Sequence, residues 1–105
     1  MVRGEVFRLR VPRGARRPEQ GGARCAVVVQ ADELLALSTV LVSPTSTSAP
    51  PRSFRPTIDL AGTQTRVLVE QTTAVSPDRL GESAGRLSAS ELRNLDEALA
   101  LVFGL

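Results

Sequence analysis

The 105-residue sequence contains no histidine, lysine, tryptophan or tyrosine, and only one cysteine. Each absence removes a class of chemistry. Without histidine there is no imidazole acid–base pair, no Ser-His triad and no imidazole metal ligand, and the single Cys25 cannot complete a tetrahedral Cys/His zinc site. No metal and no cofactor is therefore expected, and any catalysis must use carboxylates, hydroxyls, arginines or the backbone. One cysteine also permits no internal disulfide; at the head of a valine run, Cys25 reads as a small buried filler rather than a nucleophile. The aromatic residues are Phe7, Phe54 and Phe103 alone. A core must then be built from Val, Leu and Ala, which limits burial per residue and makes self-association a source of added stability. Met1-Val2-Arg3-Gly4-Glu5 leads into a strand-like pattern rather than an apolar signal segment, and the apolar run from Ala98 to Leu105 is far shorter than the ~20 residues of a membrane span. A cytoplasmic protein without membrane association is expected.

With 42% hydrophobic residues the chain suits one compact domain over residues 1–105, without room for a second. The net charge of +2 is unevenly spread: residues 1–55 carry nine arginines against four acids, and residues 56–105 carry four against seven. Since guanidinium groups bind phosphate through two donors and stack on bases, the N-terminal half has the chemistry of a nucleic-acid surface. An all-arginine composition is equally what a GC-rich genome produces.

Residues Glu5 to Val11 alternate, with Val6, Arg8 and Arg10 on one face and Phe7, Leu9 and Val11 on the other, which predicts a half-buried strand with Phe7 and Leu9 facing the core. Pro12 to Gly22 is rich in Pro, Gly and Arg, and a loop between strands is expected there. Cys25 to Gln30 is short, apolar and β-branched and predicts a central strand buried on both sides; a turn follows at residues 31–35. A strand from Thr39 to Ser43 is expected to stop at Pro44, before a Ser/Thr/Pro-rich loop that runs to Pro56. Strands are predicted at Thr57 to Leu60 and Arg66 to Gln71 with a turn around Gly62, the latter strand continuing through a bend at residues 72–75. Ser76-Pro77-Asp78 signals a short helical turn. Ser88-Ala89-Ser90-Glu91 is a capping box, and Leu92, Leu95, Leu99 and Val102 share one face of the helix it starts, with Gly104 just past the end. That helix either packs on the sheet or serves a partner. The pattern is that of a mainly β fold, a small barrel or strongly bent sheet with short helices and a C-terminal amphipathic helix.

Arg24 follows Glu19-Gln20-Gly21-Gly22-Ala23 and precedes the apolar run, so that a polar loop delivers an arginine to the end of a rigid strand. Together with Arg3-Gly4-Glu5-Val6, Ser43-Pro44-Thr45-Ser46, Val69-Glu70-Gln71, Asp78-Arg79-Leu80 and Gly85-Arg86-Leu87, this segment resembles the MazF/PemK family of toxin ribonucleases across nearly the whole chain. The resemblance implies an SH3-like β-barrel, a homodimer, a cognate MazE-like antitoxin and cleavage of single-stranded RNA at chosen sequences without a metal. In that chemistry the ribose 2′-hydroxyl attacks the adjacent phosphorus and leaves a 2′,3′-cyclic phosphate and a 5′-hydroxyl. The resemblance also implies that Arg24 and Thr45 are catalytic, with Glu19 a candidate to accept the 2′-hydroxyl proton or to orient Arg24. Such a reaction asks the protein to hold substrate atoms in line and to stabilise charge growing on phosphoryl oxygens, a task suited to a guanidinium at a strand end. Acid catalysis suits it less, because arginine titrates above ~12.

RNA contacts are expected from Gln20, Arg13, Arg16, Arg17 and Ser46, from Phe54 by stacking on a base, and from Glu70 and Gln71 at a base edge. Plainer readings stand beside these: Arg24 as a surface residue ending a strand, Glu19 as a solvated loop acid, Thr45-Ser46 as ordinary turn chemistry, and Glu70 as the acid closing an edge strand. Cys25 stands where the family commonly has proline. Two other functions fit the same fold, a non-catalytic inhibitor resembling the CcdB gyrase poisons and a nucleic-acid-binding β-barrel module without activity.

Overall fold

The alternation after Glu5 produces strand β1 (Glu5–Leu9), which packs apolar side chains on both of its faces. Val6 is fully buried in one apolar cluster, whereas Phe7 and Leu9, expected to face the core, pack half-buried against a second cluster on the opposite side of the sheet. The computed structural model describes residues 1–11 and 24–105. Among these residues β1 is followed by β2 (Cys25–Val28), β3 (Val40–Ser46), β4 (Thr57–Leu60), β5 (Thr63–Val67), β6 (Thr73–Val75), β7 (Leu80–Arg86) and helix α1 (Ala89–Phe103), with 3-10 turns at Asp32–Leu34, Val69–Gln71 and Pro77–Arg79. The strands form one antiparallel sheet in the order β4-β5-β3-β2-β1-β7, and β6 also pairs with β3. It curls into a half-barrel with α1 packed inside, the mainly β architecture that the pattern predicts. No helix is long and apolar enough to cross a membrane among the described residues.

The central strand explains why two clusters exist. Side chains alternate across a sheet, so β2 sends Cys25 and Val27 towards α1, where they meet Ile58, Val67, Leu95 and Ala98, and sends Ala26 and Val28 to the other face, among Val40, Val42 and Leu80. Each such fully buried Val, Ile or Leu contributes about 1.5–3 kcal/mol.

Four local predictions need correction. β3 does not stop at Pro44 but runs through it. Its last pair with β6 is Val42–Thr73 and its first with β5 is Thr45–Val67, so the residue without an N–H sits where the strand changes neighbours, and the Pro44 carbonyl accepts from the Leu68 amide (2.8 Å). The strand expected over residues 66–71 is β5, which ends at Val67; the chain then turns through Val69–Gln71 to bring β6 back against β3. That corner is fixed by a hydroxyl relay: Thr72 Oγ1 donates to the Val69 carbonyl (2.7 Å), so the fully buried Ser43 hydroxyl, 2.6 Å away, donates to Thr72.

The third correction is β7, whose Leu-Gly-Glu-Ser-Ala-Gly-Arg carries no strand signal. It pairs with β1 through shifted register, Val6 facing Gly85 but Phe7 facing Ser83. Gly85 takes the left-handed φ of 137° beside that shift, and at Gly81 a Cβ would lie 3.0 Å from the Arg8 carbonyl. The turn between β4 and β5 is a tight one with φ positive at both Ala61 and Gly62.

Helix α1 begins at its capping box, Ser88 Oγ accepting from the Glu91 amide (3.2 Å) and Glu91 Oε1 from the Ser88 amide (2.8 Å), and ends at a left-handed Gly104. It packs on the sheet through Leu95 and Ala98. The fourth correction lies at its far end: Val102, predicted to share the buried face, is exposed with Leu101, Phe103 and Leu105, the helix meeting the core through Leu92, Leu95, Ala98 and Leu99 before it.

Candidate functional site

Arg24 stands one residue before β2 and is exposed. Its backbone is held by β1, the Leu9 amide donating to the Arg24 carbonyl at 2.7 Å, while its guanidinium has no hydrogen-bond or ion-pair partner among the described residues. The antiparallel pairing of β2 with β3 puts Ala26 opposite Pro44 and Val27 opposite Ser43. One step further, the Thr45 hydroxyl donates to the Cys25 carbonyl at 3.2 Å, so the strands are still in contact at the residue after Arg24. Arg24 and Thr45 stand at the same end of the β2–β3 ladder, and no hydrogen bond joins their side chains. The Thr45 proton is engaged with that carbonyl and must turn away from it to donate to anything else. Cys25 between them is 7% exposed, and burial pushes its thiol pKa up, with a smaller opposing effect from Arg8. It is a packed filler, and the thiol form of a raised-pKa cysteine is a poor nucleophile.

Ser46, the next residue on β3, spends its hydroxyl oxygen on the chain: it accepts from the Ala49 amide (3.0 Å) and the Ser48 amide (3.2 Å), which starts the loop after β3. Phe54, Arg55 and Glu70 form a second group. Arg55 Nε and Nη2 both meet Glu70 Oε2, at 2.8 and 2.6 Å, and the same guanidinium lies 5.4 Å from the centroid of the Phe54 ring. The hydrogen bond from Arg55 holds the Glu70 carboxyl below its ordinary pKa. Glu70 is therefore an ion-paired carboxylate in a 3-10 turn rather than the acid closing a strand, and one face of Phe54 is already covered. Gln71 is exposed beside it. No hydrogen bond or ion pair joins this group to Arg24 and Thr45 among the described residues.

Glu19, Gln20, Arg13, Arg16 and Arg17 lie outside the described residues. Two residues were not legible as site candidates from the sequence. Arg55 could have been flagged only by knowing that Glu70 lies next to it, and Arg66 on β5 only by the register that sets it across from Ser46.

Comparison with known proteins places the chain in a family and a fold. Residues 2–103 match the model of the PemK-like, MazF-like toxins of type II toxin–antitoxin systems. The Mycobacterium tuberculosis protein Rv3098A, provisionally named a toxin, is 36% identical over 106 residues, covering 100% of this chain and 99% of its own. Among solved structures, the M. tuberculosis toxin MazF-mt6 superposes with a TM-score of 0.77 at 20% identity, over 96% of this chain and 97% of its own. A mycobacterial endoribonuclease solved in complex with its cognate antitoxin superposes with a TM-score of 0.80 at 18% identity, over 100% and 96%. At those identities the superpositions establish the fold.

Proposed function

Because the chain belongs to the PemK-like, MazF-like toxins of type II toxin–antitoxin systems, we propose that it is a metal-independent endoribonuclease that cuts single-stranded RNA at chosen sequences. The observation that carries the reading is the hydrogen bond from Thr45 to the Cys25 carbonyl, which holds a hydroxyl at the same end of the β2–β3 ladder as Arg24, whose guanidinium has no partner among the described residues. Attack by the 2′-hydroxyl on the adjacent phosphorus forms the new P–O bond and breaks the bond to the 5′-oxygen, which takes up a proton from solvent, leaving a 2′,3′-cyclic phosphate and a 5′-hydroxyl. The nucleophile belongs to the substrate, so no cofactor is needed.

In this scheme Arg24 meets the charge that develops on the phosphoryl oxygens with two directed donors. Thr45 exchanges its bond to the Cys25 carbonyl for one to a phosphoryl oxygen, and Glu19 accepts the 2′-hydroxyl proton or orients Arg24. Gln20, Arg13, Arg16 and Arg17 hold flanking nucleotides, the arginines through phosphates, which position a strand without reading it. Ser46, Phe54, Glu70 and Gln71 line the same path. The active protein is a cytoplasmic homodimer, held inactive by a MazE-like antitoxin.

The test is incubation of the folded, antitoxin-free protein with mixed RNA in excess chelator, followed by mapping of new ends. Cyclic-phosphate and 5′-hydroxyl ends are expected. Intact RNA would contradict the reading and turn attention to inhibition of DNA supercoiling, as for the CcdB poisons. Light scattering tests the dimer.

A further inference from the structure

Among the described residues, the one buried side-chain nitrogen or oxygen that lacks a hydrogen-bond partner is Nε of Arg66. Arg66 lies on β5 directly across from Ser46 on β3 and from Thr57 on β4. Residues directly opposite in antiparallel strands share a face of the sheet. On the other side of β3 the last pair with β2 is Ala26 with Pro44, and Arg24 lies two residues before the one as Ser46 lies two residues after the other. Ser46 and Arg66 therefore share a face of β3 and β5, and Arg24, just ahead of β2, lies on the other side of β3, so the serine stands between the two arginines. Two inter-strand steps of ~4.8 Å put their Cα atoms roughly 10 Å apart.

Neither arginine has a counter-ion among the described residues, and three acids of the neighbouring elements have other partners. Glu70 takes Arg55, Asp59 Oδ1 takes the Gly62 amide, and Glu91 takes the Ser88 and Asp59 amides. Ser46 brings no charge between them and uses its hydroxyl oxygen on the loop. A desolvated donor without an acceptor is destabilising and uncommon in folded chains. An anion relieves it better than a neutral group, since it also neutralises the cation, and a guanidinium fork matches the paired oxygens of a phosphate.

We propose that Arg66 binds the RNA backbone at the phosphate next to the one held by Arg24, so that two arginines grip consecutive phosphates of the bound strand. This rests on the endoribonuclease reading above. Arg66 is a substrate-binding residue in this role, and its contribution falls on the bound strand as a whole rather than on the transition state.

The test uses the full chain and its Arg66→Met variant, which keeps the apolar stem and removes both the charge and the orphan donor. RNA oligonucleotides carry one uncharged methylphosphonate at a time on either side of the cut site. Wild type should bind roughly tenfold more weakly when one particular flanking phosphate is neutralised. Arg66→Met should bind unmodified RNA roughly tenfold more weakly and be indifferent to the methylphosphonate at that same position. Its slope of log affinity against log salt should flatten by about 0.7. KM should rise about tenfold while kcat stays within about threefold, and its thermal midpoint should equal or exceed that of wild type, because an unsatisfied buried donor has gone. Arg66→Lys should restore the salt slope and part of the affinity.

Full affinity in Arg66→Met, or additive losses at every flanking phosphate, would overturn the proposal. So would a changed cleavage sequence with an unaltered salt slope, which would make Arg66 a reader of bases. Wild-type cleavage of the unmodified oligonucleotide serves as the control: if it is present and the variant fails these expectations, only the Arg66 proposal falls, and if it is absent the endoribonuclease reading falls with it.

Discussion

The hydroxyl of Thr45 donates across the β2–β3 ladder to the carbonyl of Cys25 at 3.2 Å, and this one bond ties the hydroxyl to the residue that follows Arg24. Thr45 stands on a strand with neighbours on both sides, β3 between β2 and β5, and Arg24 stands one residue before β2 with its carbonyl held by the Leu9 amide of β1. A site on paired strands loses little freedom when the substrate binds, which is what a reaction dependent on alignment requires.

Thr45→Val, which keeps the shape and removes the hydroxyl, should lower the rate of RNA cleavage by ~10² if the hydroxyl donates to charge in the transition state. One neutral hydrogen bond is lost from the fold, so stability should fall by no more than ~1.5 kcal/mol. Thr45→Ser should retain most activity. Single-turnover cleavage and urea denaturation read the two effects separately; a Val variant that is fully active would leave Thr45 a structural strand residue.

Arg24→Ala should reduce turnover by ~10²–10³, the loss that follows removal of a preorganised donor to a developing oxyanion. Arg24→Lys should recover only part, because a point charge does not reproduce a fork. Complete recovery by lysine in the same cleavage measurement would reduce the role of Arg24 to charge attraction.

Glu91 links the helix cap to the sheet, accepting from the Ser88 amide through Oε1 and from the Asp59 amide on β4 through Oε2 at 2.7 Å. Desolvation raises its pKa, but the hydrogen bonds from Ser88 and Asp59 outweigh it and the net shift is downward. A carboxyl whose folded pKa lies below its unfolded value of ~4.3 contributes stability above that value and loses it as pH falls through the folded pKa. Glu91→Gln should therefore unfold at lower urea than wild type at pH 7, and the gap should close by pH 3. Glu91→Ala, which also abolishes the capping box, should cost about 1–2 kcal/mol at neutral pH. A gap between Gln and wild type that persists unchanged at pH 3 would show that the charge of Glu91 contributes nothing.

The elements that declared themselves in the sequence are those whose own residues carry the signal. Cys25–Val28 is apolar at every position because both faces are covered, Thr57–Leu60 is bounded by Pro56 and the turn at Ala61-Gly62, and α1 opens on a complete capping box. What stayed hidden depends on distant partners. β7 exists because β1 offers it an edge, and its glycines serve the bulge and the close approach to Arg8 rather than a loop. β3 passes Pro44 because β5 replaces β6 there. The site divides in the same way. Arg24 and Thr45 could be nominated from their motifs, but Glu70 could not be known as the partner of Arg55, and Arg66 lies in an alternation with Thr65 and Val67 that reads as an ordinary outward position until the register sets it across from Ser46.

The central claim is that the substrate's own 2′-hydroxyl is the nucleophile and that the protein aligns and stabilises. The most direct measurement is cleavage and binding of two RNA oligonucleotides that differ only by a single deoxyribose at the cut site, in excess chelator. Loss of cleavage with nearly unchanged binding is predicted, because only the nucleophile has been removed. Cleavage of the deoxy-substituted strand at the same bond would contradict the mechanism outright.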